Sequence, residues 1–159
     1  MEAIYNNEEE YIIKNNDYKI TDLSYTHYYD DNELGGSSCY TRLKIISDYD
    51  YIERKFNFKG KVIHTYRDYN DEFDIKTIEK HIDISNELVK TINCLGLENL
   101  KNNYYNEEIR GEYWTINYNK LFYIVGTYDS KVEEINKLLE LINFKKIKEE
   151  CLNEVKSLR

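Results

Sequence analysis

Few side chains in this 159-residue chain could do chemistry, and their spacing decides which chemistry is open to them. The histidines are His27, His64 and His81, and the cysteines are Cys39, Cys94 and Cys151. None of them is paired at the spacing of zinc ligands or of a disulfide framework, so the thiols read as reduced and mostly buried. A Cys–His nucleophile would need Cys39 beside His64. With turns centred on Asp48/Tyr49 and Lys59/Gly60, His64 faces Lys55 and falls on the order of 10 Å from Cys39, at about 3.4 Å per residue. No dyad is expected. His27 precedes Asp30, Asp31 and Glu33, a set suited to a general base or a divalent cation, but equally to a solvated loop ahead of Gly35. Asp68, Asn70, Glu72, Asp74 and Glu79 occupy positions 1, 3, 5, 7 and 12 of a run with Ile75 at position 8, the spacing of an EF-hand calcium loop. Position 6 is Phe73 where the loop needs glycine, and a strand precedes where it needs a helix. An acidic helix start, favoured by the helix dipole, accounts for the same acids, so no metal is expected there. Phosphate-binding loops, H-E-x-x-H and G-x-S-x-G are all missing, and no cofactor is expected.

With catalytic motifs set aside, recognition by surface remains. The chain carries 30 acidic against 22 basic residues, a net charge of -8, with 17 tyrosines and no proline. Abundant Asn, Lys, Ile and Tyr without Pro is what an AT-rich genome would encode, and Tyr also favours strands. What survives that explanation is the set of tyrosines lying beside acids or in polar loops. These give the expected contact residues: Tyr28, Tyr29, Asp30, Asp31, Glu33, Tyr66, Asp68, Tyr69, Asp71, Glu72, Tyr104 and Tyr105. Trp114, at the start of a strand, is expected in the core. Basic residues are interleaved with acids along the chain, which argues against direct nucleic-acid binding and for a protein partner with a basic surface.

The elements that position these residues follow from hydrophobic period. Residues 1–17 read as an acidic arm and 18–159 as a single domain. Tyr18 to Tyr28 is strand-like, and Cys39 to Tyr66 alternates as a three-stranded meander with turns at Ser47–Asp50 and Lys59–Gly60. Asp74 to Leu95 carries Ile75, Ile78, Ile82, Leu88, Val89 and Ile92 at three-to-four spacing, predicting one or two helices with Ser85 as an internal cap and Gly96 as the stop. A hairpin follows, Trp114 to Tyr128, turning at Asn119–Lys120. Ser130 and Glu133 have the spacing of a capping box for a helix striped by Val132, Ile135, Leu138 and Ile142, which runs on or breaks near Asn143. The expected fold is α+β: an antiparallel sheet of about five strands, meander plus hairpin, packed on two or three helices. Neither an export signal nor an apolar run of membrane-spanning length is visible, so the chain reads as soluble and cytoplasmic. Oligomeric state is not legible.

Gly35–Gly36 leading into a strand, the meander, a helix ending near Gly96, Tyr113 to Tyr118, Gly126 and a final amphipathic helix together resemble the emfourin-type small bacterial proteins. That resemblance implies a compact α+β domain, and some members of the family inhibit metalloproteases by binding. The missing catalytic motifs, the net charge and the tyrosine–acid clusters, to which the resemblance adds, make the leading expectation a non-enzymatic inhibitor or immunity-type protein that occludes a basic site on its partner. It includes the anti-defence, anti-CRISPR-like kind carried by phages and mobile elements. The alternatives are a divalent-metal-dependent hydrolase or nuclease using Asp68, Glu72, Asp74 and Glu79 or the surroundings of His27, and a structural domain that self-associates through its C-terminal helix.

Overall fold

The computed structural model describes residues 20–31, 37–68, 71–107, 112–120, 122–127 and 131–157. The arm expected over residues 1–17 lies outside them. The chain is α+β, and its described residues form one seven-stranded sheet and three helices. Strands β1 (Asp22–Asp31), β2 (Ser37–Asp50), β3 (Lys55–Asp68) and β4 (Asp71–Ile82) come first, then helix α1 (Asn86–Asn93) and a 3-10 turn at Leu97–Asn99. Strands β5 (Asn103–Tyr104), β6 (Tyr113–Tyr118) and β7 (Phe122–Thr127) precede helices α2 (Glu133–Leu141) and α3 (Phe144–Ser157). The sheet order is β4-β3-β2-β1-β6-β7-β5. All neighbours are antiparallel except β5 and β7, so the sheet is larger than the expected five strands and mixed.

Burial follows period 2 across the ladder. Leu23 and Tyr25 of β1, Leu43 and Ile45 of β2, Val62 of β3, Trp114 and Ile116 of β6 and Ile124 of β7 join one core with Val89 and Ile92 of α1 and Ile135, Leu138 and Phe144 of α2 and α3. The helices therefore cover one face of the sheet, and each fully buried aliphatic there contributes about 1.5–3 kcal/mol relative to exposure. The other face is polar and meets solvent, as antiparallel sheets allow.

Three expected elements are corrected. The meander of Cys39 to Tyr66 is one long hairpin, turning at Tyr51–Arg54. There the Asp50 carboxylate accepts from the Ile52 and Glu53 amides at 2.9 and 3.1 Å, and Ile52, expected in a strand, stands 93% exposed at the tip. Lys59–Gly60 lies inside β3, because Ile82 and Ile84 of the neighbouring segment occupy the space a β-carbon at Gly60 would need. Asp74 to Ile82 is strand β4, not helix: Ile78 and Ile82 pack inward while Ile75 is half exposed on the opposite face. Helix α1 starts only at Asn86, with the Ser85 hydroxyl accepting from the Leu88 amide at 3.1 Å, and Gly96 follows it at φ 77°. Helix α2 begins after Val132, which makes no side-chain cap, and Ser130 lies outside the described residues.

Elsewhere the reading holds. The β6–β7 hairpin turns through Asn119 and Lys120, both left-handed at φ 53° and 58°, and Asn143 at φ 55° separates α2 from α3. Asn119 also fastens the start of β1, its Oδ1 accepting from the Thr21 amide (2.7 Å), the Thr21 hydroxyl (3.0 Å) and the Asp22 amide (2.9 Å). Trp114 is 5% exposed. Its indole crosses β7 where Gly126 leaves room, since a β-carbon on Gly126 would fall inside the ring system. Gly126→Ala is therefore expected to destabilise the protein by about 1–3 kcal/mol through overpacking, read as a lower urea midpoint with an unchanged slope. An unchanged midpoint would show that the indole can move aside.

Candidate functional site

Strand alternation places Tyr25, His27 and Tyr29 on the helix-covered face of β1, where α3 brings Lys148 against them. His27 Nε2 lies 2.7 Å from Glu112 Oε1, and Lys148 Nζ donates to His27 Nδ1 at 3.0 Å. Lysine has only protons to offer and an ionised carboxylate only lone pairs, so the neutral ring carries its proton on Nε2. Burial, reinforced by the Lys148 charge, lowers the His27 pKa to about 4. Burial raises the Glu112 carboxyl above its ordinary value, against the pull of Lys148. The Lys148 ammonium sits 4.1 Å from the Tyr29 ring centre, and the Tyr29 and His27 rings are 5.0 Å apart. Both nitrogens of His27 are engaged, so the ring is a structural hub and is not poised as a base.

The second histidine on this face is sealed. His64 is fully buried, and its Nδ1 pairs with the Thr41 hydroxyl at 2.9 Å. The true register sets Cys39 against Tyr66 and Thr41 against His64, so Cys39 and His64 are diagonal neighbours on one face, closer than the roughly 10 Å expected from misplaced turns. Cys39 is nevertheless packed with Tyr66 and Val155 of α3 and is 4% exposed. Cys151 is buried as well, and burial raises its thiol pKa, whereas Cys94 is exposed. Among the described residues no three His, Cys, Asp or Glu side chains gather as a cation site requires. The calcium-loop reading loses its geometry, because Asp71 to Glu79 runs as a strand paired to β3.

Seven of the expected contact positions, Tyr28, Asp30, Asp31, Asp68, Asp71, Glu72 and Tyr105, fall at one end of the sheet. Asp30 and Asp31 end β1, Asp68 ends β3, and Asp71 and Glu72 begin β4. The pairings Asp31↔Ser37, Ser38↔Arg67 and Asp68↔Asp71 set these positions at one end of the sheet. Tyr28 pairs with Tyr113 at the same end, Tyr113 with Thr127, and Tyr105 follows β5 there. Glu33 and Tyr69 fall outside the described residues. Tyr66 is corrected, being 1% exposed beneath α3, while Tyr29, met by Lys148, and Tyr104, packed on Trp114, are half-buried toward the covered face.

In their place the open face supplies rings that sequence reasoning missed. Tyr113, Tyr28 and Tyr40 form a row across β6, β1 and β2, with ring centres 4.6 and 5.8 Å apart, and Arg42 lies 5.1 Å over Tyr40. Burial, together with Tyr28, Tyr123 and Tyr105, raises the Tyr113 pKa, and Tyr123 is 58% exposed. The signal for Tyr40 and Tyr113 was available, since each alternates with a buried neighbour, Cys39 or Trp114.

No known protein family, curated protein or solved structure matches the chain. No helix among the described residues is long and apolar enough to cross a membrane.

The His27 hub has a pH signature. Its native pKa of about 4 lies below the ordinary 6.5, so the unfolded chain binds a proton first. Stability is then full above pH 6.5 and falls as pH drops toward 4, by on the order of 2–3 kcal/mol, with Glu112 acting in the opposite sense. His27→Gln keeps a donor for Glu112 and an acceptor for Lys148 without the titration. Urea denaturation at several pH values should show a flatter profile for the variant, and identical profiles would remove His27 as the cause.

Proposed function

We propose that the protein is a non-enzymatic binding protein that occludes a basic site on a protein partner, using the end of the sheet where the two acidic hairpin ends meet the tyrosine row. One observation carries this reading: residues up to about forty positions apart in sequence, Asp30 and Asp31 on one side and Asp68, Asp71 and Glu72 on the other, reach the same end of one sheet. Tyrosines anchor interfaces because they supply a large, stiff contact area at small entropic cost, and surrounding acids steer a basic partner and set its register. Tyr28, Tyr40, Tyr105, Tyr113 and Tyr123 offer that area, and the net charge of -8 favours encounter with a basic surface. The engaged nitrogens of His27 and the sealed His64 also favour binding over catalysis. The emfourin-like element order favours an inhibitor, and immunity and anti-defence roles are further forms of the same occlusion.

Capture of partners from the cells that express the protein tests this. A basic protein should be retained at about 50 mM salt and released near 500 mM. Retention should be lost in the variant carrying Asp30→Asn, Asp31→Asn, Asp71→Asn and Glu72→Gln. Tyr28→Ala with Tyr113→Ala should weaken it by about 30-fold or more, as for an interface anchor. Lys44→Ala with Lys61→Ala, elsewhere on the same open face, should leave it intact. Binding that ignores both salt and the acid substitutions would overturn the assignment.

A further inference from the structure

Between the sheet and the two C-terminal helices lies a cleft of about 230 Å³, on the face opposite the tyrosine row. Its walls are aromatic and aliphatic: Tyr25 and Trp114 from the sheet, Phe144, Leu139 and Ile135 from the helices. Tyr25 stacks beside Trp114 at 6.3 Å and meets Phe144 edge-on at 5.4 Å, so these walls are held by mutual packing. Two ammonium groups, Lys145 and Lys148, share the cleft with the neutral His27 ring; among the described residues no carboxylate lines it, and Glu112 bonds the His27 ring at Nε2. Glu140 and Glu149 stand at a wider adjoining mouth. Lys148 is already oriented by His27 Nδ1 and the Tyr29 ring, so little ordering remains when a ligand arrives.

We propose that this cleft binds a small amphipathic anion, a single-ring carboxylate whose apolar body packs between Trp114, Phe144 and Leu139 and whose head group meets Lys148 and Lys145. Size supports it: an apolar cavity of about 150 Å³ accepts benzene, so the cleft has room for a ring with a short chain. Charge supports it as well, because a carboxylate gains charge-assisted hydrogen bonds from two lysines one helical turn apart, whereas an amine meets like charge. The proposal is independent of the contact surface on the opposite face and stands or falls without it.

Trp114 is the chain's only tryptophan, so its fluorescence reports the cleft directly. Titrating 3-phenylpropanoate into the full chain should give a saturable change with a dissociation constant of about 0.1–1 mM, in keeping with some eleven non-hydrogen atoms. The uncharged 3-phenylpropanol should bind about fivefold more weakly or worse, and 3-phenylpropylamine should give no saturable change. Leu139→Phe, which fills the cleft, should abolish the response. Lys148→Met should reduce the carboxylate to the level of the alcohol, and Lys145→Ala, at an exposed helix position, provides the same test without touching the His27 hub. Circular dichroism identifies any variant that fails to fold. No saturable response to 3-phenylpropanoate, equal binding of all three compounds, or a response that survives Leu139→Phe would each overturn the proposal.

Discussion

A single hydrogen-bonded ladder, covered by helices on one face only, is the constraint from which the rest of the molecule follows. Adjacent residues of a strand point to opposite faces, so every strand is obliged to divide its side chains between a dry side and a wet one. Strand β1 shows the consequence most plainly. Leu23, Tyr25, His27 and Tyr29 serve the helix-covered face, while Ser24, Thr26 and Tyr28 alternate with them toward the open one. One strand thus forms both the wall of the cleft and the middle of the tyrosine row.

Polar groups on the covered face survive because they satisfy one another. Thr41 pairs with Nδ1 of His64, and His27 is held between Glu112 and Lys148, so burial leaves neither ring nitrogen of His27 stranded. A histidine with both nitrogens committed and its charged form disfavoured by burial is good scaffolding and a poor proton shuttle. On the open face the buried Thr26 and Thr127 hydroxyls accept from Arg42 Nε and the Asn106 amide, while Tyr28, Tyr40 and Tyr113 meet solvent.

Where the sequence was legible, a local rule was in force. Ser85, Gly96, Asn119, Lys120 and Asn143 act through the backbone of their own neighbourhood, and their roles could be read from type and position. The alternation of Trp114, Ile116 and Tyr118 was equally direct, because β6 is an interior strand with one buried face. Strand β4 was misread because it is an edge. Its inward positions Lys76 and Lys80 keep their charges at the rim, where Lys80 reaches Glu154 of α3, so the period-2 signal is diluted and Ile75, Ile78 and Ile82 mimic a helical stripe. Gly60 failed as a turn signal for a different reason: it is required by the closeness of Ile82 and Ile84, partners more than twenty residues away.

The amino-acid sequence by itself determined the α+β class, the Ser85 cap, the Asn119–Lys120 turn, the core position of Trp114 and the alternation along β6. These depend on interactions within a few residues, which composition and period report. Only the tertiary structure decided which tyrosines face outward, that two acidic segments some forty residues apart share one end of the sheet, and that Lys148 meets His27 from a helix 121 positions further along the chain. Register and strand order set those encounters. They arise from cooperative pairing and packing across the whole sheet, so no stretch of the chain carries them alone.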